Sequence, residues 1–164
     1  DLRTSNSKLT LENIACWGKV ENVTSNAPLK ARSLSGKSLS LQASNGSMTL
    51  ENVSARQAIH ATTSNAKITA DRVNAPSLKL KTSNATITVD EITSDDITLT
   101  TSNGAIRGEL PGAMGDYAIS SGTSNGKNTL PPITTGGGKR LSAHTSNAGI
   151  SLRFRGSSMD ERDL

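Results

Sequence analysis

The sequence predicts an all-β chain that folds as a single-stranded parallel β-helix, a β-solenoid of about eight coils with 19–22 residues each. The main observation is a repeat, because Thr-Ser-Asn occurs seven times and Ala-Ser-Asn once. The asparagines follow one another at 20, 19, 20, 19, 19, 22 and 22 residues. Between them, apolar and polar residues alternate with the period of a strand, and no stretch has a helical period.

Each repeat begins with a strand whose inward side chains lie three and five residues after the asparagine, as in Ile87 and Val89. The next apolar residue, such as Ile92, comes three positions later, which predicts a bend. Turn formers such as Asn74-Ala75-Pro76 follow, and then a second alternating run such as Leu78 and Leu80. We expect successive coils to stack one above another, with a right-handed turn because parallel crossovers prefer that hand.

The Ser-Asn pair closes each repeat at a corner. An amide carries both a donor and an acceptor, so stacked asparagines can bond to their copies above and below, and asparagine tolerates the left-handed conformation that a sharp corner demands. The next residue is always Ser, Ala or Gly, which fits a crowded corner. An alternative is a hydroxyl-and-amide stripe that binds sugar or ice. The predicted corner ladder comprises Asn6, Asn26, Asn45, Asn65, Asn84, Asn103, Asn125 and Asn147.

Composition restricts the classes of function. The chain has three aromatic residues and a net charge of +4, and its basic residues are scattered along the sequence, so we expect no nucleic-acid partner. Cys16 is the single cysteine, which excludes an internal disulfide, and no apolar run is long enough to span a membrane. We expect a β-helix domain over residues 1–155, cut at its N-terminus from a longer protein, and a polar tail over 156–164.

A charged column lies six residues after each asparagine. We expect a solvated charge ladder in which Arg32 pairs across strands with its acidic neighbours. Glu51, Asp71 and Asp90 are candidates for weak contact with a cation or a polysaccharide, but not for the tuned carboxylate pair of a glycoside hydrolase. His60 and His144 fall in different coils, so a zinc site is not expected. The sequence predicts no catalytic residue, no metal site and no cofactor.

Trp17 occupies a turn position that we expect to face solvent, where it packs at the end of the solenoid, contacts a preceding coil or binds a partner. Two insertions, 111–116 and 134–140, lengthen the last coils. We expect flexible excursions near the terminal cap, although loops on solenoids often form the binding face.

The units written TSNG-x-I and TSNA-x-I-T-V resemble a bacterial adhesin-type family of β-strand-repeat domains with no established function, over about residues 1–155. That resemblance implies a right-handed β-helix on the cell envelope, membrane-anchored through a segment outside this chain, and it supplies no catalytic residue. We therefore predict a non-catalytic cell-surface adhesin or envelope scaffold that binds a protein or polysaccharide. The alternative is a carbohydrate-active β-helix, a polysaccharide binder or a degenerate polysaccharide lyase or hydrolase. The unpaired strands at the N-terminal edge also suggest an end-to-end homo-oligomer.

Overall fold

The structure, a computed structural model, describes residues 2–157, and these are all-β. Two single 3-10 turns, Met114–Asp116 and Arg155–Ser157, are their only helical elements, and none of them forms a helix able to cross a membrane. The tail predicted over 156–164 lies mostly outside the described residues. The strands are β1 (Leu2–Thr4), β2 (Leu9–Ala15), β3 (Lys19–Thr24), β4 (Leu29–Ala43), β5 (Met48–Thr62), β6 (Ile68–Asn74), β7 (Ser77–Lys81), β8 (Ile87–Thr93), β9 (Asp96–Thr100), β10 (Ile106–Leu110), β11 (Tyr117–Gly122), β12 (Lys139–His144) and β13 (Ile150–Phe154).

All pairings between these strands are parallel, and they join one continuous wound sheet, which confirms the predicted β-solenoid. First strands of the coils pair with first strands, and second strands pair with second strands, as β6 with β8 and β7 with β9. The eight corner asparagines mark eight stacked levels and delimit about seven full turns between them. Inward residues such as Ile87, Val89 and Ile92 are fully buried, so the core is a narrow stack of aliphatic side chains.

The predicted bend lies within the strand that opens each of the first five coils. The seventh residue after the corner asparagine has a positive φ there, and no ladder asparagine does, so the left-handed residue lies at the bend and not at the Ser-Asn corner. The strand register omits this residue, which turns the next side chain inward. The five residues are Asn13, Ser33, Asn52, Arg72 and Glu91, with φ between 48° and 54°.

The sixth coil bends differently, at Gly108. Its φ is 145°, a value that side chains rarely adopt, and a Cβ at this position would lie 1.8 Å from the carbonyl oxygen of Val89. Because the chain turns here, Leu110 is the buried residue that follows. Most other coils have an inward apolar residue at the position of Gly108. The glycine therefore indicates a different backbone geometry in the sixth coil.

The last two coils do not stack in chain order. Strand β12 lies between β9 and β11, and β13 pairs with β10, so the coil that contains Asn147 is inserted between those of Asn103 and Asn125. Simple succession, as predicted, holds through the sixth coil and is wrong for the last two. The insertion 111–116 leads the chain from β10 past one level of the stack to β11. Residues 134–138 then lead it back to the skipped level, which β12 and β13 fill.

Burial explains this order. The seventh coil in the sequence has polar residues at inward positions, Ser121 and Asn128, and the Asn128 amide donates to the Ser121 hydroxyl at 2.9 Å. The eighth coil has Leu141, Ile150 and Leu152 at inward positions, all buried. Placing the apolar coil inside and the more polar coil at the end buries more apolar surface, as terminal repeats of solenoids require.

The two ends of the solenoid differ. At the C-terminal end the chain folds back over β11, where Thr134 N donates to Ile119 O and Ser121 N donates to Pro132 O, both at 2.9 Å. At the N-terminal end, β1 pairs only with β3, and β2 pairs only with β4. Leu9 is only partly buried there, so within residues 2–157 one end is covered and the strand edge at the other is unpaired.

Candidate functional site

The corner ladder forms as predicted. Each side-chain Nδ2 donates to the Oδ1 of the preceding asparagine in the stack, at 2.6–2.9 Å. Every ladder residue is exposed, and each amide keeps one N–H and one lone pair outside the ladder. The ladder therefore fixes the corner while presenting a regular polar surface, and the sugar- or ice-binding alternative stays a hypothesis.

The threonine before each Ser-Asn pair has a role that the sequence interpretation missed. Four of them, Thr63, Thr82, Thr101 and Thr145, are buried, and their hydroxyls donate to the carbonyl of the small residue in the neighbouring coil. Thr101 Oγ1 donates to Ala85 O at 3.2 Å, and Thr145 Oγ1 donates to Gly104 O at 2.9 Å. The sequence contains a sign of this role, because the threonine occupies an inward position of the second strand, where a buried hydroxyl needs a hydrogen-bond partner.

The small residue after each asparagine is needed, as predicted, because the corner is crowded. A Cβ on Gly46 would lie 1.9 Å from Ala27 O, and one on Gly104 would lie 1.7 Å from Ala85 O. A side chain on Gly104 would therefore displace the neighbouring corner. The corner motif is accounted for mainly by packing and hydrogen bonding between coils.

The charged column contains ion pairs along its length. Arg32 Nε lies 2.7 Å from Glu51 Oε2, which confirms the predicted cross-strand pairing. Arg72, the left-handed residue of its bend, lies 3.1 Å from Asp71 Oδ2 and 3.4 Å from Glu51 Oε1. Two of the three candidate acids are thus held by arginines.

The third candidate acid belongs to a cluster around Arg155. This guanidinium lies 3.4 Å from Asp90, 2.6 Å from Glu91 and 2.8 Å from Glu109. The hydrogen bonds with Glu91 and then Glu109 raise the pKa of Arg155 above its usual range. Sequence reasoning missed this residue because it lies more than 40 positions away along the chain.

Trp17 lies at the edge where the turns between first and second strands stack. Its side chain is 81 % exposed, and Arg56 Cζ lies 4.3 Å from the ring centroid, a cation–π contact across two coils. Cys16 beside it is a free exposed cysteine. Tryptophan and arginine are the residue types that most often anchor protein interfaces, so this edge is a candidate contact surface.

The histidines are exposed strand residues in separate coils, as expected. His60 lies on β5, and His144 lies on β12 with its Nε2 3.3 Å from Ser120 Oγ. Over residues 2–157, no group of three or more His, Cys, Asp or Glu side chains is arranged to hold a metal ion.

These features define a repeat protein of the β-solenoid class, with an amide ladder along one corner. A family model described as Toastrack DUF4097, a domain of unknown function, matches residues 2–131. That match covers most of the chain, so the chain belongs to this family. Comparisons with curated proteins and with solved structures found no match.

Proposed function

We propose that this chain is a non-catalytic interaction module of the bacterial cell surface, which holds a protein or polysaccharide partner on its outer faces. The arrangement of the acids carries the proposal. Glu51, Asp71 and Asp90 lie side by side in one column and bond to arginines, whereas glycoside hydrolysis needs two carboxylates that face each other across the substrate. The resemblance of the repeats to adhesin-type domains supports the surface location.

The exposed Trp17 and its partner Arg56 form the proposed protein-contact edge. Labelled chain is titrated against intact bacterial cell envelopes, and Trp17→Ala is compared with Ile133→Ala, which removes an apolar side chain that is 73 % exposed at the other end. We expect at least fivefold weaker binding for the first variant and less than twofold for the second. Equal affinities would contradict the assignment of this edge.

The surface location has its own test. Intact cells that produce the full natural protein are treated with a protease, and the domain is followed with an antibody. Loss of the signal from unbroken cells is expected for a surface domain. Protection until the cells are broken would contradict the location.

We also propose that two copies associate through their N-terminal ends. The strand edge there is unpaired among the described residues, while the C-terminal end is covered, which favours a closed pair over a filament. Leu2, 50 % exposed, lies in this end. Sedimentation should detect a dimer that Leu2→Lys weakens and Ile133→Lys leaves intact, and a monomeric mass at high concentration would overturn the idea.

Polysaccharide binding is the second candidate function. The observation that favours it is the exposed corner, where amides and serine hydroxyls repeat at one strand spacing, about 4.8 Å. A panel of glycans tests it, with the sugar chains sized after incubation. Binding without shortening is the expected result, and release of shorter chains would contradict the non-catalytic assignment.

A further inference from the structure

The stacking aligns basic residues that look scattered in the sequence. We name as the basic strip the two outward columns formed by the second and fourth residues after each corner asparagine. Strand registers join the fourth-residue column from Thr10 through Arg107 to Ser151. Backbone bonds join the second-residue column from Lys67 to Lys127. The strip contains five cations: Lys8, Lys30, Lys67, Arg107 and Lys127.

No carboxylate lies within the strip, whose other residues are mainly threonines and serines. Its cations form no ion pair with the described residues. Four of the five acids in the neighbouring column bond to Arg32, Arg72 or Arg155, and Glu12 is the exception among the described residues. The strip therefore keeps its positive charge, and its hydroxyls have no hydrogen bonds within the described part of the chain, as at Thr69 and Thr88.

Four of the five cations recur at every second level, alternating between the two columns, and Lys8 at the first level is the exception. If each level of the stack is counted from the N-terminal end, Lys30, Lys67, Arg107 and Lys127 occupy the second, fourth, sixth and eighth levels. Lys127 reaches the eighth level only because the last coil is inserted beneath it. Two levels cover about 10 Å, a distance that two sugar units of an extended chain also span.

We propose that the basic strip binds an extended acidic polysaccharide that carries an anionic group on every second sugar. This inference rests on the proposed non-catalytic role, because the polymer is held and not cleaved. The cations attract the anionic groups, and the intervening hydroxyls and the adjacent Asn ladder bond to sugar hydroxyls. The strip has no aromatic side chain on which bases could stack and no large apolar residue to enter a membrane.

The test uses the chain with hyaluronate oligosaccharides, in which every second sugar carries a carboxylate, and with uncharged dextran as the reference. The double variant Lys67→Gln/Arg107→Gln removes two strip cations. Its matched control, Lys79→Gln/Lys81→Gln, removes two exposed cations from the second strands, where neither forms an ion pair with the described residues. All four positions are exposed, so circular dichroism should report an intact fold for both variants.

We expect hyaluronate to bind at least tenfold more tightly than dextran, with an affinity that falls as salt is added. The strip variant should lose at least tenfold in affinity and the control less than twofold. Equal losses would overturn the proposal, because the attraction would then depend on net charge alone. Equally tight binding of polyphosphate or single-stranded DNA would overturn the polysaccharide class. If the strip variant binds normally while Trp17→Ala weakens envelope binding, the strip assignment fails and the interaction module stands.

Discussion

The buried threonine column should contribute more to stability than the exposed asparagine ladder, and Thr101→Val tests this. The Thr101 hydroxyl is buried, donates to Ala85 O at 3.2 Å and accepts from Gly104 N at 3.2 Å. Valine keeps the shape and removes both bonds, together with a longer one to Ser83 O at 3.4 Å, a carbonyl that keeps two backbone donors. No other described group bonds to Ala85 O or to Gly104 N, so both lose their only partner.

The magnitude follows from those two groups. An unsatisfied buried polar group costs about 1–3 kcal/mol, so Thr101→Val should lower the free energy of unfolding by about 3 kcal/mol. For a chain of this size that corresponds to a fall of roughly 6–12 °C in Tm. The neighbouring Thr100 points outward and makes no side-chain hydrogen bond with the described residues, so Thr100→Val is the matched control, expected within about 0.5 kcal/mol of the parent chain.

The assay is urea unfolding followed by circular dichroism. The slope of the free energy of unfolding against urea concentration is compared among the variants, because equal slopes show that each exposes the same surface on unfolding. If Thr101→Val and Thr100→Val differ by less than about 0.5 kcal/mol, the threonine hydroxyls do not hold adjacent corners together, and the reasoning is refuted.

Three further predictions concern other parts of the fold. Asn84→Leu breaks two exposed ladder bonds and should lower the free energy of unfolding by about 1–2 kcal/mol. Asn74→Leu, at an exposed strand end, should lower it by less than about 0.5 kcal/mol. Equal Tm values for the two variants would contradict a stabilising role of the ladder. Gly108→Ala should lower the free energy of unfolding by more than about 2 kcal/mol, because Gly108 has a positive φ. Gly138→Ala, with open space around the residue, should leave stability unchanged. The midpoints of denaturant unfolding of the two variants are compared. Burial, and then the charge of Asp116, raise the pKa of Tyr117, the only tyrosine. Stability should therefore be intact below about pH 10 and decline as pH rises through the folded-state pKa, and Tyr117→Phe should remove that part of the decline.

The repeat itself made the architecture predictable. Alternation around Ile87 and Val89 predicted a half-buried strand, the break before Ile92 predicted the bend, and both are confirmed. The asparagine stack was predictable because identical side chains must face each other when a fixed period is wound into coils. The position of the left-handed residue was not, because four different residue types occupy its five occurrences, Arg72 and Glu91 among them.

The candidate surfaces were less predictable. The sequence identified Trp17, the acids Glu51, Asp71 and Asp90, and the pairing of Arg32 with Glu51. It did not identify Arg56, Arg72 or Arg155 as the other contacting arginines. Arg56 lies two coils from Trp17, and Arg155 reaches acids on coils distant in sequence. An arginine side chain is long enough to reach residues one or two coils away. Which residues it contacts depends on how the coils stack, and the local sequence pattern does not specify that.

The sequence alone determined that each coil is a strand, a bend, a second strand and a polar corner, because these depend on local patterns repeated eight times. Only the tertiary structure decided the order of the last two coils. Coils with the same corner can stack on one another in any order, so their bonding pattern does not select a neighbour. The choice depends on total burial, which places the polar residues Ser121 and Asn128 at the end and the apolar coil inside, and on the loops that permit the crossing. That order also sets Lys127 at the last level of the basic strip.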